Sequence, residues 1–231
     1  MTSRQSRAAG LTLVELLLSM AIVGVIFLAV ISLTRGALTY SAQVDGINDR
    51  LVELNDAMGY IALNARRSAR LIEDSDDLSI FYGGTGGEFM CTTGATDPCV
   101  AMIVPVVDRD DADILGYELL AYRVAPISAW SDNPGLPMGR DGEDTKVLLE
   151  YKAELCSCTS PPALSTSSIS VDSVSLLLPD LYLVDSEGGS NSPFRLFGQD
   201  QLHISLRLWS SATDQVIPGN RPAEVVVSRR H

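Results

Sequence analysis

Hydrophobic and polar residues divide this chain into three stretches with different periods. The first is continuous. From Gly10 to Leu33 it reads GLTLVELLLSMAIVGVIFLAVISL, with no charged residue between Leu16 and Thr34. A helix rises about 1.5 Å per residue, so this run is long enough to cross most of a bilayer core about 30 Å thick. The second stretch is periodic. Tyr40, Val44, Ile47, Leu51, Leu54, Met58, Ile61 and Ala65 step by four and three alternately. That spacing predicts an apolar seam on one face of a helix that continues past the first run. Asp45, Asp49, Arg50, Glu53, Asp56 and Arg66 take the other faces. Arg66, Arg67 and Arg70 are expected in the last turns, where cations suit the helix dipole, and the acidic run Glu73, Asp74, Asp76, Asp77 is expected to end the helix.

From Leu78 the period shortens to two. Strands are predicted at Ser79–Tyr82, Phe89–Cys91, Val100–Val107, Leu115–Val124 and Val147–Leu155, with a short one at Leu181–Val184. The clearest alternation is Leu202–Trp209, with Leu202, Ile204, Leu206 and Leu208 on one face, and a Val-rich strand at Glu224–Arg229 closes the chain. Gly83–Gly87 reads as a turn, and Pro126–Asp144 and Thr159–Ser170 as loops. A coiled coil would show the same helical seam, but the strands that follow favour a helix serving as the spine of a globular head. The expected fold class is α+β, a long N-terminal helix packed on an antiparallel sheet.

The leader MTSRQSRAAG carries Arg4 and Arg7 and no acid. A basic leader before an apolar run suggests a secretory signal, but in such a signal the small-residue cleavage site follows the apolar region. Here Ala8, Ala9 and Gly10 precede it, and no such site follows Leu33. The order resembles the class III signal of type IV prepilins and pseudopilins, whose usual form is G followed by F-T-L-x-E. This chain has Gly10 and then Leu11, Thr12, Leu13, Val14 and Glu15.

The resemblance implies cleavage after Gly10 by the inner-membrane prepilin peptidase, methylation of the new amine on Leu11, and Glu15 as the family's assembly glutamate. It departs at Leu11, where Phe is commoner, and at Ser32, where many major pilins carry proline. It also implies the type IV pilin-like fold. The expected divisions are a leader at 1–10, the transmembrane and assembly half of the helix at 11–34, the helix spine of the head at 35–71, and a β-rich head at 72–231.

Among the relatives, the chain looks most like PilW-type minor pilins. It shares their length, a helix end reading MGYIALNARRSARLI, and a late Leu-Arg-Leu-Trp strand before the terminal one. J-type pseudopilins of type II secretion share most of these features. The role implied is a minor pilin that helps to initiate or cap a type IV pilus, or else a J-like subunit at the tip of a secretion pseudopilus. It would be held in the inner membrane with its head in the periplasm, and then at the cell surface in a pilus or pseudopilus. Partners implied are prepilin peptidase and other pilins, which meet it through the N-terminal helix. A reading from another class is a signal-anchored extracytoplasmic binding or enzyme domain, which expects an uncleaved leader and no requirement for Glu15.

Physical chemistry supports a task for Glu15. A carboxylate at the edge of an apolar core is costly unless it meets a partner, and leader cleavage would create a cation on Leu11. That amine lies four residues away within one helix, and a neighbouring subunit's amine could also reach the carboxylate. The bland alternative is an interfacial acid solvated among headgroups.

Composition narrows the remaining chemistry. Net charge is −12, and loss of Arg4 and Arg7 with the leader makes it −14. So acidic a chain argues against nucleic-acid binding by the head. Leader positives outnumber the single Arg35 beyond the run, which places the N-terminus in the cytoplasm.

Four cysteines, Cys91, Cys99, Cys156 and Cys158, stand after the membrane segment. Disulfides are expected in an exported head, first of all Cys91–Cys99. A Cys156–Cys158 bond would close a very small ring, and cross-pairing stays open. Neither spacing suits zinc. Asp108, Asp110, Asp111 and Asp113 crowd one loop but lack the EF-hand pattern, so a solvated acidic turn is expected there and at Asp74, Asp76 and Asp77. With His203 and His231 the only histidines, no catalytic constellation, cofactor or metal site is expected.

Overall fold

The computed structural model describes residues 13–82, 87–108, 113–127, 145–164, 168–183, 192–198, 200–210, 213–219 and 221–229. The Gly-rich turn at 83–86, the loop at 128–144, Val184, and Asp110 and Asp111 lie outside the described residues. Helix α1 runs from Leu13 to Arg67 without a break. Two compact units divide the chain, Met1–Asp45 and Gly46–His231.

In the first unit the described residues are helical and, apart from the half-buried Ile31 and Val44, exposed. Sixteen large apolar side chains from Leu13 to Tyr40 face outward, among them Leu18 at 61% and Phe27 at 64% exposure. An apolar surface of this extent on a helix must be covered by lipid or by other apolar helices.

The second unit is a β-rich head around the last six turns of α1. Its described strands are β1 (Arg70–Leu71), β2 (Ser79–Tyr82), β3 (Gly87–Met90), β4 (Cys99–Val107), β5 (Ile114–Pro126), β6 (Thr145–Cys156) and β7 (Ser168–Ser170). They continue with β8 (Ser173–Tyr182), β9 (Phe194–Phe197), β10 (Gln201–Leu206), β11 (Leu208–Ser210), β12 (Gln215–Ile217) and β13 (Ala223–Ser228). A seven-stranded sheet has the order β1-β4-β5-β6-β8-β11-β12, and two three-stranded sheets have the orders β13-β10-β9 and β3-β2-β7. All pairings are antiparallel except β2 with β7. The fold class is therefore the expected one, a long helix with an antiparallel β head.

Period-two alternation sorts the central strands onto two cores. Val100, Met102 and Val104 of β4, Leu120, Tyr122 and Val124 of β5, and Leu148 of β6 pack toward Leu54, Met58, Ile61 and Ala65 of α1. Leu202, Ile204 and Leu206 of β10, with Phe194 and Val227, join the same core. The residues between them, such as Cys99, Ala101 and Ile103, or Leu119 and Ala121, face the opposite side and meet Ile80 of β2 and Cys91. Covered on both faces, β4 to β6 read as nearly continuous hydrophobic runs. The helical seam is buried at Leu54, Met58, Ile61 and Ala65, half-buried at Ile47 and Leu51, and exposed at Tyr40.

Several elements differ from the sequence reading. Leu202–Trp209 is two strands in two sheets, because the Arg207 carbonyl turns to accept the Tyr182 N–H at 3.0 Å. Side-chain alternation continues through Arg207 and carries no sign of the change of partner. β8 is ten residues long where only a short strand at Leu181–Val184 was expected. Pro179 and Asp180 obscure it, and both fit because the β6–β8 register shifts between Lys146 and Leu148 and Asp180 takes a left-handed φ of 56°. Arg70 is not in the helix but in β1, and its guanidinium pairs with Asp76 at 2.7 Å. β7, β9 and β12 are three or four residues each, too short to give a period.

Candidate functional site

The N-terminal region is the first candidate. Gly10 and Leu11 lie outside the described residues. Glu15 stands in the first turn of α1, where a negative charge suits the dipole, and it is the only acidic residue before Asp45. Three of the hydroxyls along this helix are satisfied locally. Ser19 Oγ donates to the Glu15 carbonyl at 2.7 Å, Thr34 to Val30 at 2.8 Å and Thr39 to Arg35 at 3.0 Å. Glu15 is the charged group at the start of this apolar segment.

In the head, Cys91 and Cys99 are joined, with Cα atoms 4.9 Å apart, and so are Cys156 and Cys158, at 5.3 Å. No cysteine is free. Closing a loop of nine residues is worth roughly 2–3 kcal/mol through the unfolded chain. The Cys91–Cys99 loop is held from outside as well. Asp97 accepts from Arg123 of β5 at 3.0 Å and from Lys146 of β6 at 2.9 Å, and Lys146 also donates to the Thr96 carbonyl at 2.8 Å. Asp74 accepts from the N–H and the hydroxyl of Thr93, both at 2.8 Å. Asp74 and Asp76 were expected to be simply solvated; here they tie a 3₁₀ turn, Asp74–Asp76, to the disulfide loop and to Arg70.

A buried polar group lies between α1 and the sheet. Asn64 Nδ2 donates to the Tyr122 hydroxyl at 2.7 Å, and Ser175 Oγ donates to Glu150 Oε2 at 3.3 Å. Burial, with the Glu150 charge adding to it, holds the Tyr122 hydroxyl far above the ordinary tyrosine pKa of about 10. Tyr60 is raised by burial and then by Glu150, and Tyr151 by burial against an opposing pull from Arg123.

All three tyrosines have folded values above the unfolded one. Their contribution is complete below about pH 10 and is lost as pH rises through that value, where the unfolded chain alone releases these protons. Denaturant midpoints of the full chain in detergent micelles are expected to fall between about pH 9 and about pH 11, and to fall less in Tyr122→Phe. A flat midpoint across that range would contradict the burial assigned to these hydroxyls.

A third feature is a cleft of about 410 Å³ at the end of the seven-stranded sheet, lined by β5, β6, Val106 of β4 and the start of β8. Gly116 is required at its floor, since a Cβ there would stand 2.4 Å from the Cys156 carbonyl oxygen. Among the described residues no group of three or more His, Cys, Asp or Glu converges as a metal site. His203 is half-buried on β10, with Nε2 3.8 Å from the Glu224 carboxylate.

Sequence reasoning named Glu15 and the four cysteines. It missed Asn64, Asp97, Arg123 and Glu150, whose tasks depend on partners 25 to 58 residues distant in chain order that no local period reveals.

The signature of the prokaryotic N-terminal methylation motif matches residues 5–31, a span that holds Gly10, Leu11 and Glu15. No curated protein and no solved structure matches the chain. The match supports a prepilin-type, type IV pilin-like protein. It ends at Ile31, within the apolar half of α1. That half is consistent with anchoring in a membrane before assembly.

Proposed function

We propose that the protein is a minor pilin, cleaved after Gly10 and methylated on Leu11, which joins a type IV pilus and helps to initiate or cap it. The observation that carries this reading is the continuity of the methylation motif with an exposed apolar helix whose later turns are the buried spine of a β head. A subunit of that design has two requirements. It must be held in the membrane before use, and afterwards its apolar half must be covered by the same segment of its neighbours. The Glu15 carboxylate, the one acid in that half, is assigned to receive a neighbour's methylated amine and so to set the register of insertion.

The divisions that follow are a leader at 1–10, a membrane and assembly half at 11–34, a helical spine from 35 to the end of α1 at Arg67 and a head over the strands from β1 onward, with the head in the periplasm before assembly. Oxidising conditions there suit the two disulfides. Residues at the helix end and the late strand favour a PilW-like member over a J-like pseudopilin.

Deletion of the gene tests the role. Surface filaments per cell are expected to fall several-fold while the major subunit remains abundant in membranes, and secretion through a type II system is expected to be unchanged. Undiminished filaments with impaired secretion would instead place the protein in a pseudopilus.

A further inference from the structure

We infer that the cleft beside the Cys156–Cys158 bridge is a docking site for a lysine or arginine side chain, set in an apolar segment of a partner protein outside the inner membrane. The inference rests on the proposed extracytoplasmic placement of the head, and it adds a surface that the methylation motif does not reach.

The walls are apolar. Val106 of β4, Leu115 and Tyr117 of β5 line the cleft, and Leu115 is 54% exposed. The adjoining hairpin end adds Val107 at 45% and Ile114 at 40% exposure. Exposed aliphatic residues clustered at one sheet end resemble the dry centre of an interface more than ordinary surface.

Among the described residues the charge at the cleft has one sign in excess. Three carboxylates, Glu118, Glu154 and Asp172, line it against one ammonium, Lys152. Lys152 is engaged with Glu118. Asp172 Oδ2 accepts the Glu154 backbone N–H at 2.8 Å. The Glu154 carboxylate itself has no ion-pair or hydrogen-bond partner among the described residues and is exposed at the rim. The carboxylates do not converge as a metal ligand set. A long cationic side chain meets both halves of this chemistry, with its methylene stem against Val106 and Leu115 and its charged head toward Glu154.

Contact through side chains is favoured over addition of a strand. Along β4 the carbonyls of Ala101 and Ile103 point to the β1 side, where they accept from Ile72 and Ala69. The next outward position is Pro105, which has no N–H to offer a new strand.

The test is site-specific photocrosslinking of the full chain in cells that make the native assembly. A photoreactive residue replaces Leu115, and in a control it replaces Met90, which is 53% exposed on β3. The expected result is an adduct at 115 whose partner peptide, sequenced by mass spectrometry, has a lysine or arginine beside the crosslinked atom. Glu154→Arg should weaken this adduct on the order of tenfold, Glu154→Gln should weaken it less, and an acidic residue in place of the identified cation should restore it with Glu154→Arg.

Disulfide mapping and protease resistance of each variant show that the head has folded. Three results would overturn the inference: no adduct above the Met90 control, a partner peptide without a cation, or an adduct indifferent to Glu154→Arg. Incorporation into sheared filaments is measured in the same cells. A subunit that assembles normally without the adduct removes the cleft proposal and leaves the pilin reading standing. A specific adduct on a subunit absent from filaments removes the pilin reading and leaves the cleft.

Discussion

Glu15→Ala is expected to lower the ratio of filament-borne to membrane-held protein by at least about tenfold, while insertion and leader cleavage continue. Three parts of the chain are separable here. Insertion depends on the apolar run, and removal of its one acid makes that run more apolar. Cleavage is assigned to Gly10 and the small residues before it, which the substitution does not touch. In the proposed role, assembly is the step that places a methylated amine among apolar helices. An unpaired charge in such surroundings costs several kcal/mol, and each 1.4 kcal/mol is about a factor of ten in an equilibrium. The local environment of Glu15 supports a selective effect. Its carbonyl accepts from Ser19, a bond that the alanine backbone keeps, so the helix itself should persist. Sheared filaments and membranes from cells with either version provide the ratio. Equal ratios would leave Glu15 as a solvated interfacial acid and remove its assembly role.

The second large effect concerns the later half of the same helix. Ile61→Ala is expected to destabilise the head by about 2–5 kcal/mol, and Leu63→Ala by less than about 0.5 kcal/mol. Ile61 is fully buried between the central sheet and β10, whereas Leu63, two residues on, is 56% exposed. Both substitutions remove aliphatic carbon from one helix at nearly equal propensity cost, so the difference isolates packing. Denaturant unfolding of the full chain in micelles measures both. Similar losses at the two sites would mean that the helix does not serve the head as its spine.

The long-range plan of the molecule was legible because it follows from period. The four-three seam named Leu54, Met58, Ile61 and Ala65 as the buried face, and all four are buried. Apolar runs rich in Val, Leu and Tyr found β4, β5 and β6, which are covered on both faces, and alternation found β10, which has one face that must be dry. What stayed hidden depends on partners and not on period. The switch of sheets at Arg207 is a backbone choice, decided by the N–H of Tyr182. β8 was masked by Pro179 and Asp180, residues that argue against a strand unless a bulge on the neighbour receives them. The anchors of the disulfide loop, Asp97 with Arg123 and Lys146, are charges on an acidic surface and look like any others until folding sets them together. At the N-terminus the reverse holds. Residue order alone, a basic leader, small residues, then L-T-L-V-E and an apolar run, carries the functional reading.

This residue order is proposed to be a processing signal. It is tested most directly by the intact mass and N-terminal sequence of the protein from the membrane fraction. The expected chain begins at Leu11 with a methylated amine, and its mass is reduced by that of the ten-residue leader MTSRQSRAAG. A chain that still begins at Met1, or one that begins after Leu33, would contradict it.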